Sequence, residues 1–268
     1  MRKAIFSIIV GFGAALAVSS FGVDASADGW GKFQVDDRRS GYTYAKKETR
    51  AMQDDDFVNP GQIWVDQGET LWEEKAGKAG KSCADCHSDA SVAMKGVATK
   101  YPKYSDARGK LINIEQQINV CRTERMQAEP YKYESSQMLS MTTFIRQQSA
   151  GMPMNVAVDG KAAPFFEKGK DFYNQRRGQL DMSCANCHVD NAGNTVRANT
   201  LSQGQTNGFP TYRLKWQKVG STHRRFRGCN KNVRAKPYGY GSDEYVNLEL
   251  FVAWRGRGLP VETPAIRN

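Results

Sequence analysis

Two segments of the chain carry a helical pattern of apolar residues. Apolar side chains recur there at i, i+3 and i+7, the spacing of one helix face. Gly151 and Gly258 stand where a helix C-cap is expected, and a proline follows each of them two residues later. Between the segments, glycine-rich and polar stretches such as 191–208 favour loops, and no strand-like alternation is sustained. The pattern therefore predicts a mainly α protein with short helices and long loops. The apolar positions are Met138, Met141 and Ile145, and Tyr245, Leu248 and Val252.

The chain contains two copies of one unit. The run Ser82-Cys83-Ala84-Asp85-Cys86-His87 corresponds to Ser183-Cys184-Ala185-Asn186-Cys187-His188. Glycines and aromatic residues on both sides of these runs, and one further cysteine downstream of each, keep nearly the same offset. A chance repeat would not keep all of these residue types in register, so we interpret the pattern as a duplication.

Each unit carries one Cys-x-x-Cys-His motif, which is typical of covalent haem attachment. The two thiols attach to the porphyrin, and the adjacent histidine ligates the iron. A zinc site would need further ligands at finger spacing, and a thioredoxin-like pair would not need the histidine twice. The sequence therefore predicts two haem c groups. The attachment cysteines are Cys83, Cys86, Cys184 and Cys187, and the proximal histidines are His87 and His188.

Several residues could supply the sixth ligand of each iron. The second unit has no methionine after Met182, which leaves His223 and Cys229. Cys121 occupies nearly the same repeat position as Cys229, which favours a thiolate ligand used twice. A disulfide between these two cysteines is the alternative in an exported protein. In the first unit Cys121 also competes with four methionines, which are Met94, Met126, Met138 and Met141.

The N-terminus has the pattern of a cleavable signal peptide. Arg2 and Lys3 precede the apolar run 4–21, and Ala25-Ser26-Ala27 offers a cleavage site. We predict a signal peptide over residues 1–27 and a periplasmic location. No later stretch approaches the ~18 apolar residues of a membrane helix, so no membrane span is expected in the mature form.

The repeat and the haem motifs together predict two tandem, duplicated cytochrome c-like domains. We expect an N-terminal domain over 28–158 with the first haem, and a C-terminal domain over 159–268 with the second haem and the active site. Short helices with long loops suit this fold, because the porphyrin supplies much of each core.

Basic residues surround one cysteine of the second unit. The 268 residues carry a formal net charge of +10, and no acidic residue lies between Asp190 and Asp243. Cys229 lies inside this stretch, and neighbouring cations favour a reactive thiolate and attract anions. We expect an anionic small molecule or an acidic partner and no nucleic acid, because the chain is exported. A solvated basic surface or a docking patch is the alternative.

The chain resembles the SoxA family of cytochrome subunits from the periplasmic sulfur-oxidising system. The resemblance covers most of the chain and is strongest in the second unit. The runs that carry it are Leu201-Ser202-Gln203-Gly204-Gln205, Gly208-Phe209-Pro210-Thr211-Tyr212-Arg213, Arg225-Phe226-Arg227-Gly228-Cys229 and Leu259-Pro260-Val261-Glu262-Thr263-Pro264.

This resemblance implies a set of site residues. Cys229 would be the active-site cysteine, an axial ligand of the second haem that can carry a persulfide, and Arg225 would bind the substrate. His188 would be the other ligand of that iron. His87 and Cys121 would hold the iron of the first haem.

The resemblance also implies an activity and partners. The chain would be an L-cysteine S-thiosulfotransferase that conjugates thiosulfate to a cysteine of a SoxYZ-like carrier protein and passes two electrons to haem. It would form a heterodimer with a SoxX-like monohaem cytochrome. The alternatives are a thiosulfate dehydrogenase that forms tetrathionate, a non-catalytic electron carrier and a dihaem peroxidase.

Overall fold

The computed structural model describes residues 29–268, so the predicted signal peptide over 1–27 lies outside the described residues. In the described range, no helix is long and apolar enough to cross a bilayer. The helices are α1 (Lys47–Asp54), α2 (Gln62–Glu73), α3 (Ala84–His87), α4 (Ala90–Ala93), α5 (Ile114–Val120), α6 (Ser136–Gln147), α7 (Ala163–Asn174), α8 (Cys184–His188), α9 (Thr222–Asn232) and α10 (Asp243–Arg255). The strands are β1 (Gln34–Val35), β2 (Arg38–Arg39), β3 (Lys103–Ser105), β4 (Lys110–Ile112), β5 (Thr195–Val196), β6 (Asn199–Thr200), β7 (Thr211–Arg213), β8 (Lys218–Gly220) and β9 (Ala265–Arg267).

The duplication is visible as one arrangement of helices used twice. In the first unit α2 packs against α6, and in the second α7 packs against α10. Each pair crosses at a glycine, because a methyl group added at Gly68 would lie 2.3 Å from the Ser140 carbonyl oxygen and one at Gly169 would lie 2.1 Å from that of Asn247. Interiors packed this closely cannot accept an added carbon without displacement. The motif helices α3 and α8 follow the first helix of each pair.

A further helix stands between each haem motif and the closing helix. These are α5, which continues into a π-helical turn over Cys121–Arg125, and α9. The sequence pattern predicted long loops in both places, so this part of the prediction was incomplete. Side-chain caps explain where these helices begin: Asn113 forms a capping box at α5, and Ser221 accepts a hydrogen bond from the Arg224 N–H at α9.

The closing helices α6 and α10 appear where predicted, but their ends differ. The C-caps are Gln148 and Gly256, so the expectation for Gly151 and Gly258 was wrong by two or three residues. In each unit the chain makes one more turn after the helix, and the positive-φ glycine lies at the end of that turn. The chain segments that follow α6 and α10 then form backbone hydrogen bonds with each other. For example, the Met154 N–H donates to the Leu259 carbonyl oxygen at 2.9 Å.

The strands are two or three residues long, too short to give a sustained alternation in the sequence. β7 pairs with β8 in an antiparallel hairpin and with β9 in parallel, which makes one three-stranded sheet. Gly220 ends this hairpin and Ser221 caps α9 directly after it. The hairpin therefore fixes the start of the helix that carries Cys229.

Apolar clusters surround the haem motif of each unit. Trp72, Met138 and Met141 are buried in a cluster that contacts Cys83. Tyr245 and Phe251 are buried in a corresponding cluster that contacts Cys184. Lys32–Asn268 pack as one compact unit. The domain boundary between residues 158 and 159 therefore stays a prediction.

Candidate active site

The second haem motif forms α8, whose histidine is held in one orientation. Ser183 and Asn186 form a capping box at the start of this helix. The His188 Nδ1 atom lies 2.7 Å from the Ser202 carbonyl oxygen, so Nδ1 carries the proton and donates it. A methyl group at Gly204 would lie 2.8 Å from the imidazole ring, so the loop backbone lies against it. This arrangement leaves Nε2 free to ligate a metal, as is usual for a histidine fixed through its other nitrogen.

The predicted substrate residue and the predicted active-site cysteine lie on α9, four residues apart. Residues at this spacing lie on one helix face, so Arg225 and Cys229 are neighbours. The side chains of Thr222, His223 and Asn230 are buried. Cys229 is partly buried.

Positive charge favours the ionised form of the Cys229 thiol. Burial alone would raise its pKa, but Arg225, the neighbouring His188 and the charge of Arg213 together lower the pKa to about 6. In contrast, burial raises the pKa of Cys184 to about 12, with a further contribution from Cys229. A thiolate is the form that reacts as a nucleophile and binds metals.

The residues of the second unit fit a haem c group. His188 and Cys229 come from different helices and lie near each other, so both could hold a haem iron. Burial raises the pKa of the Cys184 and Cys187 thiols, and the charge of the nearby Cys229 raises both further. Two attachment thiols, an imidazole nitrogen and a further sulfur are residues that could together hold a haem c group.

The first unit has the same layout with different electrostatics. Burial, followed by the charge of Cys121, raises the pKa of Cys83 to about 11, which places Cys121 beside the first attachment motif. The Gln117 side-chain amide lies 3.4 Å from the Cys121 sulfur. His87 contacts Trp72, with ring centroids 5.8 Å apart. The donor set fits a second haem c, with a neutral amide at the position that Arg225 occupies in the other unit.

The structure weakens the alternative sixth ligands. The His223 Nδ1 accepts a hydrogen bond from the Gly241 N–H at 3.0 Å, and its Nε2 lies 3.1 Å from a Glu249 carboxylate oxygen, so both ring nitrogens are engaged. Met138 and Met141 are 1% exposed and belong to the apolar core. Among the described residues all six cysteines are free, so Cys121 and Cys229 are not joined.

The basic run around Cys229 divides into paired and unpaired side chains. Arg224 forms an ion pair with Glu134 at 3.3 Å, and Arg227 donates to the Tyr238 carbonyl oxygen. Arg225 and Arg213 both act on the Cys229 thiol. Sequence reasoning did not single out Ser202, Gln117 or Arg213. The i−4 spacing from Cys121 and Cys229 could have identified Gln117, whereas Arg213 belongs to the acid-free basic stretch around Cys229.

The chain is similar to known cytochrome subunits. The family described as SoxA/TsdA, cytochrome c domain matches residues 67–154 and 168–261. These two ranges confirm the predicted pair of cytochrome c-like domains. The L-cysteine S-thiosulfotransferase subunit SoxA of Rhodovulum sulfidophilum is 46% identical over 235 residues, which cover 88% of this chain and 82% of that protein. The subunit of the same name from Pseudaminobacter salicylatoxidans is 47% identical over 234 residues, covering 87% of this chain and 82% of that protein.

A solved structure is similar as well. In the crystal structure of SoxXA from P. pantotrophus, a chain 46% identical in sequence superposes with a TM-score of 0.84. The match covers 86% of this chain and 87% of that chain.

Proposed function

From the premise that this chain belongs to the SoxA/TsdA cytochrome c family, we propose that it is the catalytic subunit of an L-cysteine S-thiosulfotransferase. The reaction joins thiosulfate to a cysteine of a carrier protein. One observation carries the proposal most directly: Cys229 lies near His188 with Arg225 four residues before it on the same helix, and these neighbours lower the pKa of its thiol to about 6.

The reaction balances as a two-electron oxidation. A carrier thiolate and a thiosulfate dianion form one new S–S bond, and the adduct keeps a single negative charge on its sulfonate. Two electrons leave, which accounts for the remaining charge. Haem c, when bound, supplies acceptors that take electrons singly. Arg225 would hold the dianion by charge and by its planar pair of N–H donors.

The chain would hold two haem c groups. Cys83 and Cys86 would attach the first, with His87 and Cys121 at its iron. The second group would use the corresponding residues of the second unit, which are Cys184, Cys187, His188 and Cys229. Cys121 beside Cys83 in the first unit, and His188 near Cys229 in the second, support this assignment.

The proposal includes partners and a location. The similar crystal structure is that of SoxXA, which supports a heterodimer with a SoxX-like monohaem cytochrome. The relatives' names support thiosulfate as the substrate and a carrier cysteine as the acceptor, as in a SoxYZ-like protein. The signal-peptide pattern supports a periplasmic location.

The test is product analysis with the haem-loaded heterodimer, thiosulfate and a SoxYZ-like carrier. We expect mass spectrometry to find one thiosulfate attached to the carrier cysteine, with two equivalents of an external cytochrome reduced. Tetrathionate formed equally well without carrier would indicate a thiosulfate dehydrogenase instead. Carrier left unmodified, with no thiosulfate consumed, would contradict any thiosulfate-oxidising function.

A further inference from the structure

Glu134 lies in a backbone conformation that glycine normally supplies. Its φ is 63°, and the residue at the same repeat position of the second unit is Gly241, with a φ of 72°. Each stands directly before the serine that caps a closing helix, which is Ser135 at α6 and Ser242 at α10. A side chain disfavours this conformation, so a glutamate there indicates that its carboxylate has a use.

The Glu134 carboxylate contacts the start of α9, the helix of the second unit that carries Arg225 and Cys229. Its Oε1 accepts a hydrogen bond from the Ser221 N–H at 3.0 Å, and its Oε2 pairs with the Arg224 guanidinium at 3.3 Å. A negative charge at a helix N-terminus also interacts favourably with the helix dipole. The Glu134 side chain is only 12% exposed, and it joins the first unit to the first turn of α9.

The placement of α9 depends on such polar contacts, because this helix has little apolar surface. Phe226 is its only large apolar side chain, and its other residues are mostly basic or polar. The Ser221 carbonyl oxygen accepts a hydrogen bond from the Arg225 N–H at 3.2 Å. The residue that Glu134 holds is therefore bonded directly to the proposed substrate-binding residue.

We propose that Glu134 is a positioning residue of the first unit that holds the first turn of α9, and with it Arg225, in the orientation that binds thiosulfate. This assignment rests on the proposed function and deepens it. Glu134 acts through Ser221 and Arg224 and not on the substrate itself. The contacts with α9 offset the strained backbone, which explains why the first unit has a glutamate where the second has Gly241.

A different role for the same carboxylate predicts the opposite change in affinity. If Glu134 served only to neutralise Arg224, its removal would leave a second positive charge beside Arg225 and would tighten the binding of a dianion. If Glu134 positions the helix, its removal weakens binding despite the added charge. The sign of the change in Kd therefore separates positioning from charge compensation.

Equilibrium binding of thiosulfate to the haem-loaded heterodimer, measured by calorimetry without carrier, gives this sign. We expect Glu134→Gly, which removes the carboxylate and relaxes the backbone, to raise the Kd by about fivefold or more. Glu134→Gln keeps an oxygen that can accept from Ser221 and should keep the Kd within about twofold of the wild type.

The matched control is Asp36→Gly. Asp36 is also an acidic residue at positive φ, and it pairs with Arg38 at 2.5 Å, but it lies in the exposed turn between β1 and β2. This variant relaxes the backbone and removes an ion pair without touching α9. Its Kd for thiosulfate should stay within about twofold of the wild type.

Hydrogen exchange of backbone amides, followed by mass spectrometry, reports on α9 without thiosulfate. Peptides that cover α9 should exchange about tenfold faster in Glu134→Gly, and Glu134→Gln should restore slow exchange. Peptides of α7, in the same unit, should be unchanged, since a general loosening of the fold would affect both helices. If Glu134→Gly does not fold, Glu134→Asn decides the question, because asparagine accepts a positive φ but is one methylene shorter.

The failures of the two proposals are distinguishable. An unchanged or lower Kd in folded, haem-loaded Glu134→Gly, or unchanged exchange of α9, would overturn the positioning role even if the wild type modifies the carrier. Wild-type protein that binds no thiosulfate and leaves the carrier unmodified would contradict the proposed function. Faster exchange of α9 in Glu134→Gly would then still support the hold of Glu134 on that helix.

Discussion

The two units place different chemistry on nearly the same backbone. In each, a helix after the haem motif presents a cysteine, with one side chain four residues before it on the same face. The first unit has Gln117 beside Cys121, and the second has Arg225 beside Cys229. The exchange of an amide for a guanidinium changes the charge beside the sulfur, because Arg225 carries a positive charge that can hold an anion and Gln117 carries none.

This difference separates a structural role from a reactive one. The crossing glycines, the motif helices and the buried aromatic residues are the requirements of a haem-binding fold, and both units keep them. The arginine four residues before Cys229 is not such a requirement, because the first unit has Gln117 at that position. We therefore propose that the sulfur chemistry belongs to the second unit and that the first relays electrons.

Replacing the two haem-attachment cysteines of one unit at a time should produce the largest difference between the units. Cys184→Ser with Cys187→Ser should lower the intact mass by one haem and abolish turnover, because the second iron is lost with its thiolate environment. Cys83→Ser with Cys86→Ser should remove the same mass and leave measurable turnover. Mass spectrometry and carrier modification report these outcomes, and equal loss of turnover in both proteins would break the division of roles.

Substitution at the i−4 position should sharpen the comparison. We expect Arg225→Ala to lower kcat/KM for thiosulfate by about 100-fold, the loss of a charge-assisted contact to a dianion. Arg225→Lys should restore part of it. The matched control is Gln117→Ala, which should change kcat/KM by less than about threefold because no substrate binds beside Cys121. Similar losses in both would show that the two sites share the reaction.

The fold itself should respond equally in both units. Gly68→Ala and Gly169→Ala each force a methyl group against a carbonyl oxygen of the partner helix, so each should lower the free energy of unfolding by about 2–3 kcal/mol. Gly239→Ala is the control, since nothing lies within 4 Å of an added methyl group there. Thermal unfolding measures all three, and a large difference between the first two would mean that the helix pairs are not equivalent.

A buried carboxylate should make stability depend on pH. Burial and Glu249 raise the pKa of Glu115 to about 7, against the opposing charges of His223 and Arg146. The folded state therefore holds this proton more tightly than the unfolded chain. The resulting stabilisation is complete below the ordinary glutamate pKa and is lost as pH rises through 7.

Unfolding of Glu115→Gln should accordingly vary less than wild type between pH 5 and 7, by at most about 3 kcal/mol. The exposed Glu129→Gln should keep the wild-type slope. Because Glu115 belongs to the first unit and Glu249 to the second, an unchanged slope in Glu115→Gln would mean that this contact does not couple them. Denaturant unfolding at several pH values is the measurement.

The sequence predicted the features that depend on local pattern. The Cys-x-x-Cys-His motifs and the i, i+3, i+7 spacing of α6 and α10 identified the repeat and its closing helices. It did not predict α9, because this helix is mostly basic and polar, and its start depends on the Ser221 cap and on packing against the hairpin. The hairpin strands are too short to alternate visibly.

The most direct test of the central claim is the rate of carrier modification in two cysteine variants of the haem-loaded heterodimer. We predict that Cys229→Ala forms no carrier adduct within detection, a loss of about 1000-fold or more, with both haems still attached. Cys121→Ala should retain the reaction within about tenfold, because that sulfur meets no substrate. Wild-type rates of adduct formation in Cys229→Ala would contradict the assignment, and so would loss of the reaction in Cys121→Ala alone.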